Sequence, residues 1–219
     1  MNNYSTSENR TNARPCALAK AGRAVWIWAL LPLFFAASCS DDENGENVLD
    51  VWKSANEQAL NDIARNPEFT EIKSPGDNGS IYYRVIEKGS GTKTVYYTSQ
   101  VKVYYKGWFV AGNSELGIEK DHVFDHRLFD DGAPVTFALS TGASTYDSYT
   151  GYNPPIPIDG WTVALQHMVK GDKWEIWLPA QLAYGTSGQS GSSGTIPGHS
   201  TLAFEIEVVG VTGIDGDTE

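Results

Sequence analysis

The chain has 219 residues, 41% hydrophobic and 12% aromatic, enough for one ordinary hydrophobic core and too apolar for general disorder. It carries 16 Lys and Arg against 27 Asp and Glu, a formal charge of −11, and a surface of that sign repels nucleic acid. No nucleic-acid partner is expected.

In chain order, Arg10, Arg14, Lys20 and Arg23 precede the apolar run "VWIWALLPLFFAA" at 25–37. At about 13 residues it suits the central region of a secretory signal and falls short of the roughly 20 that cross a bilayer. The run ends in Ala36-Ala37-Ser38-Cys39, which resembles a bacterial lipobox, with alanine where leucine is commonest. The expected organisation is a lipoprotein signal peptide at 1–38, with Cys39 carrying a lipid that anchors the protein to a membrane. An ordinary cleaved signal with an incidental cysteine is the alternative. Cys16 would leave with the leader, so the mature domain has no disulfide and depends on its core. The leader also removes four basic residues and one acidic one, leaving 12 against 26, a formal −14.

Residues 39–47 read as an acidic tether, "CSDDENGEN". It resembles the export tag that follows the lipid cysteine in some surface lipoproteins of Gram-negative bacteria. The expected location is the cell envelope, as an outer-membrane lipoprotein facing outward or into the periplasm.

Residues 48–79 read as a helical segment and linker. Leu49, Trp52, Leu60 and Ile63, with Ala55 and Ala59, recur near a 3.6-residue period, predicting an amphipathic helix over 48–66 that ends before Pro67. Its apolar stripe is thin, so it is expected to pack on the main domain or a partner. "SPGDNGS" at 74–80 is a turn.

From residue 80 the period changes to two. Ile81, Tyr83 and Val85 alternate with polar or outward positions, as do Val101, Val103 and Tyr105, then Trp174, Ile176 and Leu178, then Leu202, Phe204, Ile206 and Val208. One helix interrupts them in "GWTVALQHMVKGD", with Trp161, Ala164, Leu165 and Met168 on one face and Gly171 as its stop. The predicted class is α+β, an antiparallel sheet wrapped over one short helix, with the N-terminal helix in front.

Several stretches now combine: "VYYKG" at 103–107, "VFD" at 123–125, "IDGWTVALQHMVKGDKWEIWLPAQLAYG" at 158–185 and "IPGHSTLAFEIEVVGV" at 196–211. Together they resemble the FKBP family of peptidyl-prolyl cis-trans isomerases over an expected domain at 80–213. By that resemblance Trp161 is the floor on which a proline ring rests. Tyr105, Phe124, Val135, Ile196 and Phe204 are apolar walls, and Asp125 is a polar contact at the rim. The Tyr184 hydroxyl and the Ile158 backbone N–H would donate to substrate carbonyls. The Gly/Ser run "GTSGQSGSSGT" between Tyr184 and Ile196 would be the loop over the pocket mouth.

The implied activity is Xaa-Pro isomerisation in Pro-containing polypeptides, assisting the folding of exported or surface proteins. It needs no cofactor and no metal. Rotation about an Xaa-Pro bond is slow, roughly tens to hundreds of seconds, because it breaks amide resonance, and an aromatic cradle with a few donors is sufficient apparatus.

The chain departs from the family pattern in four places. An arginine commonly follows the Phe-Asp pair, yet here Asp130 and Asp131 stand near that position, with Arg127 earlier. Val135 replaces a usual aromatic. The segment before Trp161 is expanded and holds Tyr146, Tyr149, Tyr152, Pro154, Pro155 and Pro157, and the stretch before Phe124 is lengthened too. The missing arginine and the expanded segment favour a second reading, a non-catalytic chaperone or peptide-binding module at the envelope. A third reading takes the flap tyrosines as stacking platforms for carbohydrate.

Overall fold

The computed structural model describes residues 47–141, 143, 152–191 and 194–212. The expected signal peptide, Cys39 and the tether up to residue 46 lie outside the described residues, as do Tyr146 and Tyr149.

Helix α1 spans Val48–Ala64. It begins at Asn47, whose Oδ1 accepts the Leu49 N–H at 3.1 Å and so satisfies one amide of the first turn. It stops two residues before the expected 66, because Pro67 pushes the residue ahead of it out of helical geometry. The helix docks on the main domain through Trp52, which is wholly buried and meets the Phe109 ring edge-on at 6.0 Å. Leu49, expected on the buried stripe, is 48% exposed, and the other buried residue of the helix is polar. Asn56 is buried, accepts the Thr201 N–H at 2.8 Å through Oδ1 and donates to the Trp52 carbonyl at 2.8 Å.

Among the described residues nine strands follow: β1 (Thr70–Lys73), β2 (Ser80–Glu87), β3 (Gln100–Phe109), β4 (Val123–Arg127), β5 (Val135–Ala138), β6 (Lys173–Leu178), β7 (Gln189–Gly191), β8 (Gly194–Ile196) and β9 (Leu202–Thr212). Seven form one antiparallel sheet in the order β1-β2-β6-β9-β3-β4, and β5 also pairs with β3. Strand β3 is the hinge of this arrangement. Its first half, 100–103, pairs with β5, and its second half, 105–108, with β4.

The two-residue alternation read from the sequence is the burial pattern of the central strands. Val101 and Val103 are buried, as are Trp174, Ile176 and Leu178, and Leu202, Phe204, Ile206 and Val208. Strand β2 follows it only at its start, since Val85 lies on the surface. The inward face is covered by helix α2 (Asp159–Leu165), from which Trp161, Ala164 and Leu165 enter the core, with Met168 just beyond it. The helix ends at Leu165 rather than at Gly171. Its last turn tightens into the bonds His167 N–H to Ala164 O at 2.9 Å and Met168 N–H to Leu165 O at 3.1 Å. Gly171, at φ 89°, serves the turn into β6 instead.

The Gly/Ser run is not a slack linker. Strands β7 and β8 pair through it as a small hairpin. Its base is pinned by Gly188 N–H to Tyr184 O at 3.0 Å and His199 N–H to Gly185 O at 2.9 Å. Gly188 adopts φ 70°, and a side chain there would run into the Ile196 carbonyl.

Candidate functional site

Helix α2 and the strands of the sheet bring four aromatic rings together. The Trp161 ring lies 5.0 Å from Tyr105, 5.2 Å from Phe137 and 5.3 Å from Phe204, each with its planes steeply inclined. Such edge-to-face arrangements hold aromatic clusters in fixed geometry. Phe124 extends the cluster, 5.7 Å from Phe204 and at 88° to it. Trp161 itself is 4% exposed, and its Nε1 is buried without a partner among the described residues. The nitrogen faces inward, so the indole offers the cavity apolar ring surface.

Close approach of these rings depends on Gly107. It stands opposite Asp125 on one side and Phe204 on the other. A Cβ there would come within 2.5 Å of the Phe204 ring and 2.9 Å of Phe124. The glycine of "VYYKG" therefore makes room for two walls of the site.

Above Trp161 is a cavity of about 430 Å³. Of the residues expected from the sequence, it brings together Tyr105, Phe124, Asp125, Val135, Ile158, Trp161, Tyr184 and Phe204. Ile196 is the exception; it is buried in the core and lines a neighbouring cavity. Two further contributors, Phe137 and Gln189, went unnoticed in the sequence, and the expanded segment singled out before Trp161 lines the cavity with Pro155 and Pro157. Phe137 was readable in principle, since it follows Val135 by two residues and so shares its face of β5. It supplies the aromatic surface that Val135 lacks.

The expanded segment before α2 becomes one wall of the cavity. Its described part is fastened to β5 by Tyr152 Oη to the Thr136 carbonyl at 3.0 Å and by Ala138 N–H to the Pro155 carbonyl at 3.0 Å. It leads directly to Ile158, whose carbonyl accepts the Trp161 N–H at 3.0 Å and so opens the helix. The Ile158 N–H has no acceptor among the described residues.

The polar groups are few. Tyr105 stands opposite Arg127 in the β3–β4 pairing, which puts Asp125 diagonally across on the same face. The Tyr105 hydroxyl donates to Asp125 Oδ2 at 2.9 Å. Burial, then the hydrogen bond to Asp125, push the Tyr105 phenol well above its ordinary range. Burial, then the Asp125 charge, raise Tyr184 as well. Both hydroxyls therefore stay protonated, as donors, at neutral pH. Asp131, near the expected arginine position, is committed elsewhere. It accepts the Leu128 N–H at 2.7 Å and meets His126 Nδ1 at 2.8 Å, which holds its carboxyl below the usual range. It organises the turn after β4 and does not reach into the cavity.

The arrangement is a small apolar box with an indole floor, two phenol hydroxyls, one carboxylate and a free backbone N–H. It can hold a compact apolar ring and meet the carbonyls beside it.

The family profile described as FKBP-type peptidyl-prolyl cis-trans isomerase matches residues 91–209. The chain is 30% identical over 148 residues to a macrophage infectivity potentiator of Trypanosoma cruzi, covering 68% of this chain and 59% of that protein. It is 31% identical over 131 residues to the outer membrane protein MIP of Legionella longbeachae, covering 60% of this chain and 44% of the relative. The chain thus spans about half the length of these relatives. Among solved structures it is similar to FkpA from Escherichia coli, with a TM-score of 0.52 and 25% identity, covering 75% of this chain and 62% of that one.

Proposed function

The chain belongs to the FKBP-type peptidyl-prolyl cis-trans isomerase family, and from that membership we propose that it catalyses cis-trans interconversion of Xaa-Pro bonds in exported polypeptides. The observation that carries the reading is the convergence of Tyr105, Phe137 and Phe204 on the Trp161 ring, open to a cavity whose donors are Tyr184 and Ile158.

The reaction rotates a bond and neither makes nor breaks one, so the residues need only favour the twisted amide. A proline ring set on Trp161 lies among apolar walls that give no compensation to the planar amide's dipole. As the amide twists, its nitrogen loses conjugation and its carbonyl turns out of plane. The Tyr184 hydroxyl and the Ile158 N–H supply fixed donors for the carbonyls flanking the proline. Asp125 holds the Tyr105 hydroxyl, so that this phenol presents ring to the cavity while its polar end is already satisfied.

The leader pattern and the acidic stretch after Cys39 support export and lipid anchoring at that cysteine, with attachment to the outer membrane. The similarity to a protein named for the outer membrane is consistent with it.

The test is the cis-to-trans rate of an Ala-Pro peptide with and without the full-length protein, beside Tyr184→Phe and Trp161→Ala. Acceleration lost in the variants supports the reading. Absence of acceleration by a folded protein, with proline peptides still bound, would make it a holding module.

A further inference from the structure

A second cavity, of about 480 Å³, adjoins the one over Trp161. Phe124, Asp125, Tyr184 and Gln189 line both, so they form a ridge between them. On the far side of that ridge the floor is Phe109, whose ring lies 5.0 Å from Phe124. One wall carries Leu116 and Ile118, and the facing wall is the β8 end with Thr195 and Ile196.

The first wall is the lengthened connection between β3 and β4, and it is held in shape. Asn113 and Ile118 exchange backbone hydrogen bonds at 2.8 and 3.0 Å. The Asn113 side chain accepts the N–H groups of Glu115 and Leu116 at 2.9 and 3.1 Å. At its base, Asp121 N–H donates to Phe109 O at 2.8 Å and Phe109 N–H to His122 O at 3.1 Å. Leu116 and Ile118 are thereby fixed against the core rather than left to solvent. A wall ordered before any ligand arrives loses little entropy on binding.

We propose that this second cavity is a subsite for a bulky apolar side chain two residues away from the substrate proline. The inference rests on the proline site at Trp161 proposed above. In an extended peptide, side chains alternate, so a residue two positions from a downward-facing proline also faces down, roughly 7 Å along. Phe124 belongs to both cavities, its ring 5.7 Å from Phe204 of the first and 5.0 Å from Phe109 of the second, so the step between them is short. The residue immediately beside the proline points away and is not selected by this cavity.

The experiment uses two series of alanine-based peptides with one proline, carrying Ala, Lys, Leu or Phe two positions before it or two positions after it. In one series kcat/KM for the Leu and Phe peptides exceeds that for Ala by about tenfold, the order expected for burying most of such a side chain. That ratio falls towards one in the double variant Leu116→Ser/Ile118→Ser. It falls likewise in Thr195→Trp, which fills the cavity from the exposed hairpin and serves alone if the double variant is unfolded by circular dichroism. Equal rates for Ala and Leu in both series, or a preference that survives in the folded variants, overturns the subsite. If no peptide is isomerised, the isomerase reading fails separately, and calorimetric Kd values for the same peptides decide the subsite by the same ratios.

Discussion

The Tyr105 hydroxyl reaches diagonally across the β3–β4 pair to donate a 2.9 Å hydrogen bond to Asp125. This bond gives the rim carboxylate a partner in a chain without the arginine that members of the family often place there. Tyr105→Phe keeps the ring against Trp161 but leaves Asp125 without that donor. The expected loss of stability is about 1 kcal/mol, in the range of a single hydrogen bond. The accompanying fall in kcat/KM is expected to be modest, roughly threefold to tenfold. Peptide isomerisation and urea unfolding measure the two; an unchanged midpoint would mean the bond contributes nothing.

Tyr184 differs, because no hydrogen bond among the described residues engages its hydroxyl. Tyr184→Phe is expected to lower kcat about tenfold or more, with KM little changed and the fold intact, as befits a donor used in the twisted state. A rise in KM at constant kcat would instead make it a ground-state contact.

Both phenols titrate above their ordinary value of 10.0, chiefly because burial disfavours the phenolate. Below about pH 10 the folded and unfolded chains both keep these protons, so stability and rate are insensitive to them. Above it the unfolded chain ionises first and binds fewer protons, so stability falls as pH rises. Thermal unfolding across this alkaline range should show that fall, and Tyr105→Phe should show a shallower one. An identical slope would refute the assignment.

Trp161→Ala should abolish detectable isomerisation and proline-peptide binding, and should destabilise the domain by about 3–5 kcal/mol because the ring is a core residue as well as a floor. Trp161→Phe separates the roles, restoring most of the stability but only part of the rate. Chemical denaturation beside the isomerisation assay checks this.

Asn56→Ala removes the acceptor of the buried Thr201 N–H and should cost about 1–3 kcal/mol, with the loss localised to the α1–β9 junction. Amide exchange at Thr201 is the direct readout. Persistent protection there would show that water or another group replaces Asn56.

The proposed lipid attachment at Cys39 predicts that the protein, made in a Gram-negative host, takes up a fatty-acid label and sediments with membranes, and that Cys39→Ser does neither. Release of unlabelled protein from both forms would indicate an ordinary cleaved signal.

Much of this protein is local in origin, and the sequence by itself determined that part. Period-two alternation in β3, β6 and β9 requires only that one sheet face be buried, and the same residues are buried except Tyr105, which is half-buried at the cavity. The short helix bearing Trp161 was equally legible, whereas Tyr105, Phe124 and Tyr184 were picked out by the resemblance of their motifs to the family, and all four residues line one cavity. What pairing over long separations decides was not. Phe137 meets Trp161 because β5 pairs with the first half of β3, a register that no local pattern encodes. Asn56 looks like a surface residue on its helix until Thr201, 145 residues away, is placed above it. The Gly/Ser run reads as a linker by composition, yet paired backbones make it a hairpin and place Ile196 in the second cavity rather than in the one over Trp161. Hydrophobic periodicity records which face of an element is buried; which elements then meet is a property of the closed sheet, and only the tertiary structure holds it.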